Sequence, residues 1–153
     1  MRRKSVRLLL GLLVILIAIQ LVPVKRANPA VNPASELEAS VAAVFRRACY
    51  DCHSNRTHWP WYSRVAPISW LVAHDVSEGR GRLNLSLWAE YPAAKQSRLA
   101  AEIADEVDSG GMPLPMYLRL HPNARLGPSD REQIRVWAGS LSATPARGES
   151  ESR

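Results

Sequence analysis

Cys49-Tyr50-Asp51-Cys52-His53 holds both cysteines of a 153-residue chain, and Cys-x-x-Cys-His is the pattern that attaches a c-type haem. Covalent attachment needs two thiols placed to add to the two vinyl groups at one porphyrin edge, and an imidazole from the same segment within reach of iron. On one helical turn the three-residue spacing sets Cys49 and Cys52 side by side, and His53 follows under the ring. The motif therefore predicts one covalent haem c per chain, carried by Cys49 and Cys52, with His53 as the proximal iron ligand. Two competing uses of the cysteine pair fit less well. A redox dithiol needs a βαβ surround, whereas the flanking segments read as helices. Structural zinc needs four ligands, and a single cysteine pair with scattered histidines makes a weak set.

The flanks read as follows. Leu37, Val41, Val44, Phe45 and Ala48 recur at the spacing of an amphipathic helix that starts at Ser35 and runs into Cys49. After Pro67, residues Ile68, Leu71, Val72 and Val76 predict the buried side of a second helix ending near Gly79 to Gly81. Asn84 to Trp88 is a connector. Pro92 suits the first turn of a third helix, where Leu99, Ile103 and Val107 share a face with Ala100 and Ala104 while Arg98, Glu102, Asp105 and Glu106 face water. Gly110-Gly111 stops it. Pro113, Pro115 and Pro122 leave room for one short turn around Tyr117 to Leu120. Pro128 opens a last helix with Ile134, Trp137, Ala138 and Leu141 as its stripe. No stretch alternates as a strand and none repeats. The expected class is all-α: a cytochrome c-like haem-binding helical domain at 35–141, with a small, polar tail at 142–153 expected to be disordered.

Ahead of this domain, Arg2, Arg3, Lys4 and Arg7 precede an uncharged run from Leu8 to Val24, closed by Lys25-Arg26. The run is at the short end of a membrane span and longer than the apolar core of most signal peptides. Residues 1–26 are read as an N-terminal transmembrane anchor, with cleavage among the small residues Ala27 to Ala30 as the alternative. The basic start stays in the cytoplasm and everything after residue 26 crosses. That predicts a single-pass protein of the bacterial inner membrane, in contact with the bilayer through residues 8–24, its haem domain periplasmic. Residues 27–34, with Pro29 and Pro33, read as a stiff linker lifting the domain off the bilayer.

The net charge of +6 follows that topology. Six of the 20 basic residues and no acid lie in residues 1–26, leaving 14 basic against 14 acidic residues beyond them. The exported part is neutral, so no basic stripe for nucleic acid is expected. No cysteine remains for a disulfide, although the compartment would permit one.

Met112, Met116, His58, His74 and His121 are the candidates for the sixth iron position. Met112 lies far along the chain from His53, after Gly110-Gly111 and before Pro113, where an extended loop can project a thioether; its other reading is a core filler. His121, before Pro122, could equally donate to a haem propionate. Arg56 and Arg64 are candidate propionate partners. Trp59, Trp61, Tyr62, Trp70, Trp88 and Trp137 are candidates to line the haem pocket, with core packing the better account of Trp137.

With these residues in view, the chain resembles the haem-binding domain family of small, membrane-anchored bacterial mono-haem c-type proteins. The resemblance rests on CYDCHSNRTHWPWYSRVAPISWLVAHDVSEGR, LNLSLW, MPLPMYLRLHPNARL and the IRVWA helix, together roughly residues 45 to 140. It implies covalent haem c on Cys49 and Cys52 with His53 on iron. Met112 matches the methionine of the family's Met-Pro element, and the resemblance favours it over the other candidates as distal ligand. Leu114 stands where a second proline is common, and Gly127 where Ser or Thr often caps the last helix.

A filled distal position, and no recognisable Ser-His-Asp or paired-carboxylate arrangement, predict a carrier and not an enzyme. The expected role is a membrane-tethered periplasmic mono-haem cytochrome that passes single electrons between membrane and periplasmic redox proteins. The alternative is a haem-based small-molecule sensor or peroxidase-like protein with a displaceable distal ligand. A third reading is an assembly subunit whose haem organises the fold.

Overall fold

In the computed structural model, which describes residues 2–37 and 40–143, the apolar N-terminal run forms α1 (Arg2–Ala18), tightening into a 3-10 turn at Ile19–Leu21. From Arg3 to Leu21 it is long and apolar enough to cross a membrane, and none of it is buried inside the protein. The motif follows on α2 (Ala42–Ala48) and α3 (Tyr50–His53), and then come α4 (Ile68–Arg82), α5 (Ala93–Ser109), α6 (Pro115–Leu120) and α7 (Pro128–Ser142). Among the described residues there is no strand, and the chain is all-α.

The core forms where α5 packs against α7, with α2 and the 3-10 segment Leu85–Glu90 beside them. Leu99, Ala100 and Val107 of α5 and Ile134, Trp137 and Ala138 of α7 are buried, as their spacing predicts. Phe45 meets Trp137 edge-on with ring centroids 5.1 Å apart, and Trp88 lies 5.3 Å from Trp137 on another side. Edge-on and tilted contacts of this kind are favoured arrangements of aromatic rings. α5 ends at Gly110, whose φ of 77° is the left-handed conformation that glycine adopts without cost.

Three features depart from the sequence expectation. The first helix is shorter: Pro33–Ser35 is a 3-10 turn, and the Leu37 N–H donates to the Leu85 carbonyl at 3.2 Å. Leu37 is still buried, because apolar spacing reports burial and not backbone shape. On α4, Val76 is buried as expected, but Ile68 and Leu71 are exposed and Val72 only half-buried. The helix instead turns Ser69, Val76 and Gly79 inward, spaced seven and three apart on one face, and at Gly79 the absent side chain lets it approach α3 closely.

The third departure is the linker, which does not stand clear of the domain. Arg80 donates to the Ala27 carbonyl and to Asn28 Oδ1, each at 2.8 Å, and the Asn28 amide donates to the Thr57 carbonyl at 2.9 Å. At the far end, α7 reaches Ser142, and the rest of the expected tail, 144–153, lies outside the described residues.

Gly127 offers no side chain to cap α7, and Asp130 does the work from inside the first turn. Its carboxylate accepts the Gly127 N–H at 2.9 Å and pairs with Arg47 at 2.8 Å. These two contacts, the backbone bond foremost, hold the Asp130 carboxyl below its usual range. A carboxyl whose folded pKa is depressed adds stability above its unfolded pKa and loses it as pH falls through the folded value. Asp130→Ala should therefore cost about 1 kcal/mol at neutral pH, and thermal melts should show its deficit shrinking below about pH 4.

Candidate cofactor site

The motif is held by a helical turn that begins before it. Cys49 N–H donates to the Phe45 carbonyl at 2.8 Å, and the N–H groups of Cys52 and His53 donate to the Cys49 carbonyl at 3.3 and 2.9 Å. α4 crosses α3 at Gly79, where an added Cβ would lie 2.5 Å from the Cys52 carbonyl oxygen. That close approach puts the end of α4 against the histidine. His53 Nδ1 lies 3.0 Å from the Gly79 carbonyl and 3.3 Å from the Leu83 carbonyl. A carbonyl can only accept, so Nδ1 carries the proton and Nε2 keeps its lone pair for a metal. Burial lowers the His53 pKa, against the opposing pull of these two carbonyls, and so favours the neutral, ligating form.

Cys49 and His53 open onto a cleft of about 500 Å³ with apolar walls from Phe45, Leu85, Leu99, Ile103 and Val107. A second lobe of about 310 Å³ carries Cys52, His74, Asp75, Glu78 and Tyr117. Cys49, His53, Arg82, Met112 and Pro113 line both lobes. Met112 is placed by the end of α5: beyond the Gly110 turn its N–H reaches back to the Glu106 carbonyl at 3.0 Å. A larger, more open groove of about 680 Å³ runs between Pro33 to Leu37 and Trp88, and no cysteine, histidine or methionine lines it. The chemistry lies in the smaller, walled cleft.

Neither cysteine is in a disulfide. Burial, with the charge of Cys52 adding, pushes the Cys49 thiol up to about 12. Burial followed by the Asp51 and Asp75 carboxylates pushes Cys52 up to about 11. A redox dithiol needs the reverse, a thiolate stabilised near neutral pH, so the site's electrostatics argue against dithiol exchange.

A clamp of polar aromatics ties α6 to the motif. Tyr117 OH donates to the Asp51 carboxylate at 2.8 Å, and the Tyr117 ring stacks on His121 with centroids 4.0 Å apart. His121 Nδ1 donates to the Tyr117 carbonyl at 3.1 Å, which leaves Nε2 to accept from Tyr62 OH at 3.2 Å. Burial raises the pKa of both tyrosines, so they stay protonated donors.

The other candidates sort accordingly. Both ring nitrogens of His121 are engaged, Met116 is exposed, and neither residue lines either lobe. His58 is exposed and away from the cleft, its backbone N–H bonded to Asp51. His74 does line the second lobe. Arg56 is taken by Glu36 through bonds of 2.6 and 2.9 Å, and Arg64 lies off the cleft. The arginine at the cleft is Arg82, which sequence reasoning passed over. It sits eight residues after His74 and four after Glu78, on one face of α4. None of the tryptophans lines either lobe. Trp88 and Trp137 belong to the core, and Trp59 donates to Asn28 Oδ1 at 3.3 Å.

Two thiols and an imidazole with a free Nε2 on one wall, a thioether on the same cleft and apolar sides form a donor set that fits a haem, although Glu102, Asp105 and Glu106 make the rim around Arg82 predominantly acidic. The haem-binding domain family matches residues 14–140, and the chain belongs to that family. Comparison with the curated proteins and with the solved structures finds no match.

Gly79→Ala tests the helix crossing. Alanine ordinarily favours a helix interior over glycine, but here its methyl would collide with backbone. The variant should lose about 1–3 kcal/mol and a large part of its haem occupancy, read by thermal melts and by haem-to-protein absorbance ratio.

Proposed function

We propose that this is a membrane-tethered mono-haem c-type cytochrome that carries single electrons in the periplasm. The observation that supports it best is that His53 and Met112, far apart in sequence, line one walled cleft with Cys49. In this reading Cys49 and Cys52 hold haem c through thioethers, His53 Nε2 is the proximal iron ligand and Met112 sulfur the distal one. The bound haem supplies a one-electron ferric–ferrous couple. The chain's own residues do the rest. The Gly79 and Leu83 carbonyls orient His53, the apolar walls exclude water, and Arg82, whose contact with Glu78 is a loose, exposed one at 3.9 Å, is the cation at the rim that could turn to a propionate.

A site with both axial positions filled by the protein favours electron carriage over substrate chemistry at iron. The apolar helix Arg3–Leu21, with a basic start and no acid before Glu36, supports a single inner-membrane span with its N-terminus cytoplasmic. Redox proteins of the membrane and the periplasm are the partners this arrangement would serve.

The test is a pair of absorption spectra on the haem-loaded protein. Wild type should show the weak near-infrared band of sulfur-to-iron ligation in the oxidised state, and Met112→Ala should lose it. The ferrous wild type should bind carbon monoxide slowly and the variant quickly. A wild type without that band would move the distal ligand to His74, the other candidate on the cleft. Fast carbon monoxide binding by wild type would replace the carrier with a sensor of small molecules.

A further inference from the structure

α4 leaves part of its apolar face without a partner. Ile68 is 47% and Leu71 54% exposed, and just before them Val65 is 44% and Trp61 78% exposed. Ile68 and Leu71 are three apart on one side of α4, and Trp61 and Val65 belong to the 3-10 turn and the extended residue that lead into it. Scattered apolar residues on a surface need no explanation, but four large ones within eleven residues of chain, an exposed tryptophan among them, do.

The structure also shows where this run sits relative to α1. Gln20, at the exit of the apolar helix, makes a two-way clasp with Ala66. Its Oε1 accepts the Ala66 N–H at 2.9 Å, and its amide donates to the Ala66 carbonyl at 3.2 Å. Six residues on, Arg26 donates to the Ser63 carbonyl at 3.1 Å. The chain leaving α1 is thus bonded to the segment that carries Trp61, Val65 and Ile68. The uncharged run from Leu8 covers about 21 Å at helical rise by Leu21 and continues to Val24, so residues 8–24 account for most of a bilayer's hydrocarbon core. Gln20 then lies near the outer hydrocarbon edge, and the exposed run lies toward the headgroup layer.

The local charge fits that setting. Residues 54–73 contain no acid and two arginines, of which Arg56 is paired with Glu36. Arg64 is exposed and in no ion pair among the described residues. Lys25 and Arg26 add two more cations at the exit of α1.

We propose that Trp61, Val65, Ile68 and Leu71 seat the domain on the outer surface of the bilayer that α1 crosses, with Arg64 against lipid phosphates. The inference rests on α1 remaining attached as a membrane span. Tryptophan suits this position because its ring is apolar and its N–H can face headgroups. Seating the domain fixes the height of the cleft. His74 and Glu78 follow Leu71 by three and seven residues on the same side of α4, so the cleft's second lobe opens about 10 Å along the helix from the membrane face.

The experiment uses the haem-loaded full chain in liposomes of phosphatidylcholine and phosphatidylglycerol. Val65→Cys and Leu71→Cys are compared with Val136→Cys on exposed α7, and the unsubstituted chain sets the background. A membrane-impermeant maleimide should label positions 65 and 71 about tenfold more slowly than position 136, and detergent should abolish the difference. Arg64→Gln should reduce the protection by up to about fivefold in anionic liposomes. Equal labelling at all three sites in liposomes would overturn the proposal. Protection in native membranes but not in pure lipid would also overturn it, in favour of a protein partner. An alkaline wash checks the anchor separately: release of the chain would overturn the membrane span, whereas retention with equal labelling would overturn only the seating.

Discussion

The contact of α4 with α3 at Gly79 is the constraint on which the site depends. With no side chain at that position, a helix backbone lies against the Cys52 carbonyl, and the last turn of α4 offers two carbonyls to His53 Nδ1. One packing decision thus sets the tautomer, the ring orientation and the direction in which Nε2 faces. It also brings Arg82 to the cleft, because Arg82 follows Gly79 by three residues on the same helix. A larger residue at position 79 would move all of these together.

The opposite wall is assembled by different means. Gly110 reverses the chain after α5, and the Met112 N–H returns to the Glu106 carbonyl. Tyr117 then ties α6 to Asp51, inside the motif itself. The two walls therefore share no helix, but they share a residue pair. The buried face of α5, through Leu99 and Val107, joins them below the cleft.

The motif, the α5 stripe, its glycine stop and the α7 stripe were legible because each is local: spacing along one segment carries the information. The propionate partners were not, because an arginine's neighbours depend on which helices cross. Arg56 found Glu36, twenty residues back, and Arg82 was delivered to the cleft by α4. The face of α4 misled for a related reason. Apolar periodicity marks a face that avoids water without saying what covers it, and among the described residues Ile68 and Leu71 stay about half exposed. The linker prolines suggested stiffness and clearance, but Asn28 beside them carries an amide that Thr57, Trp59 and Arg80 all use.

The raised thiols bear on what the folded chain does before it carries haem. A sulfur held toward the neutral thiol reacts slowly in every process that runs through thiolate, including capture by another disulfide. Cys49 and Cys52 line the lobes and are reachable from them, yet burial and, at Cys52, the Asp51 and Asp75 carboxylates disfavour their anions. Access and reactivity are thus separated: a group that fits the cleft can reach the sulfurs, while stray disulfide exchange is discouraged.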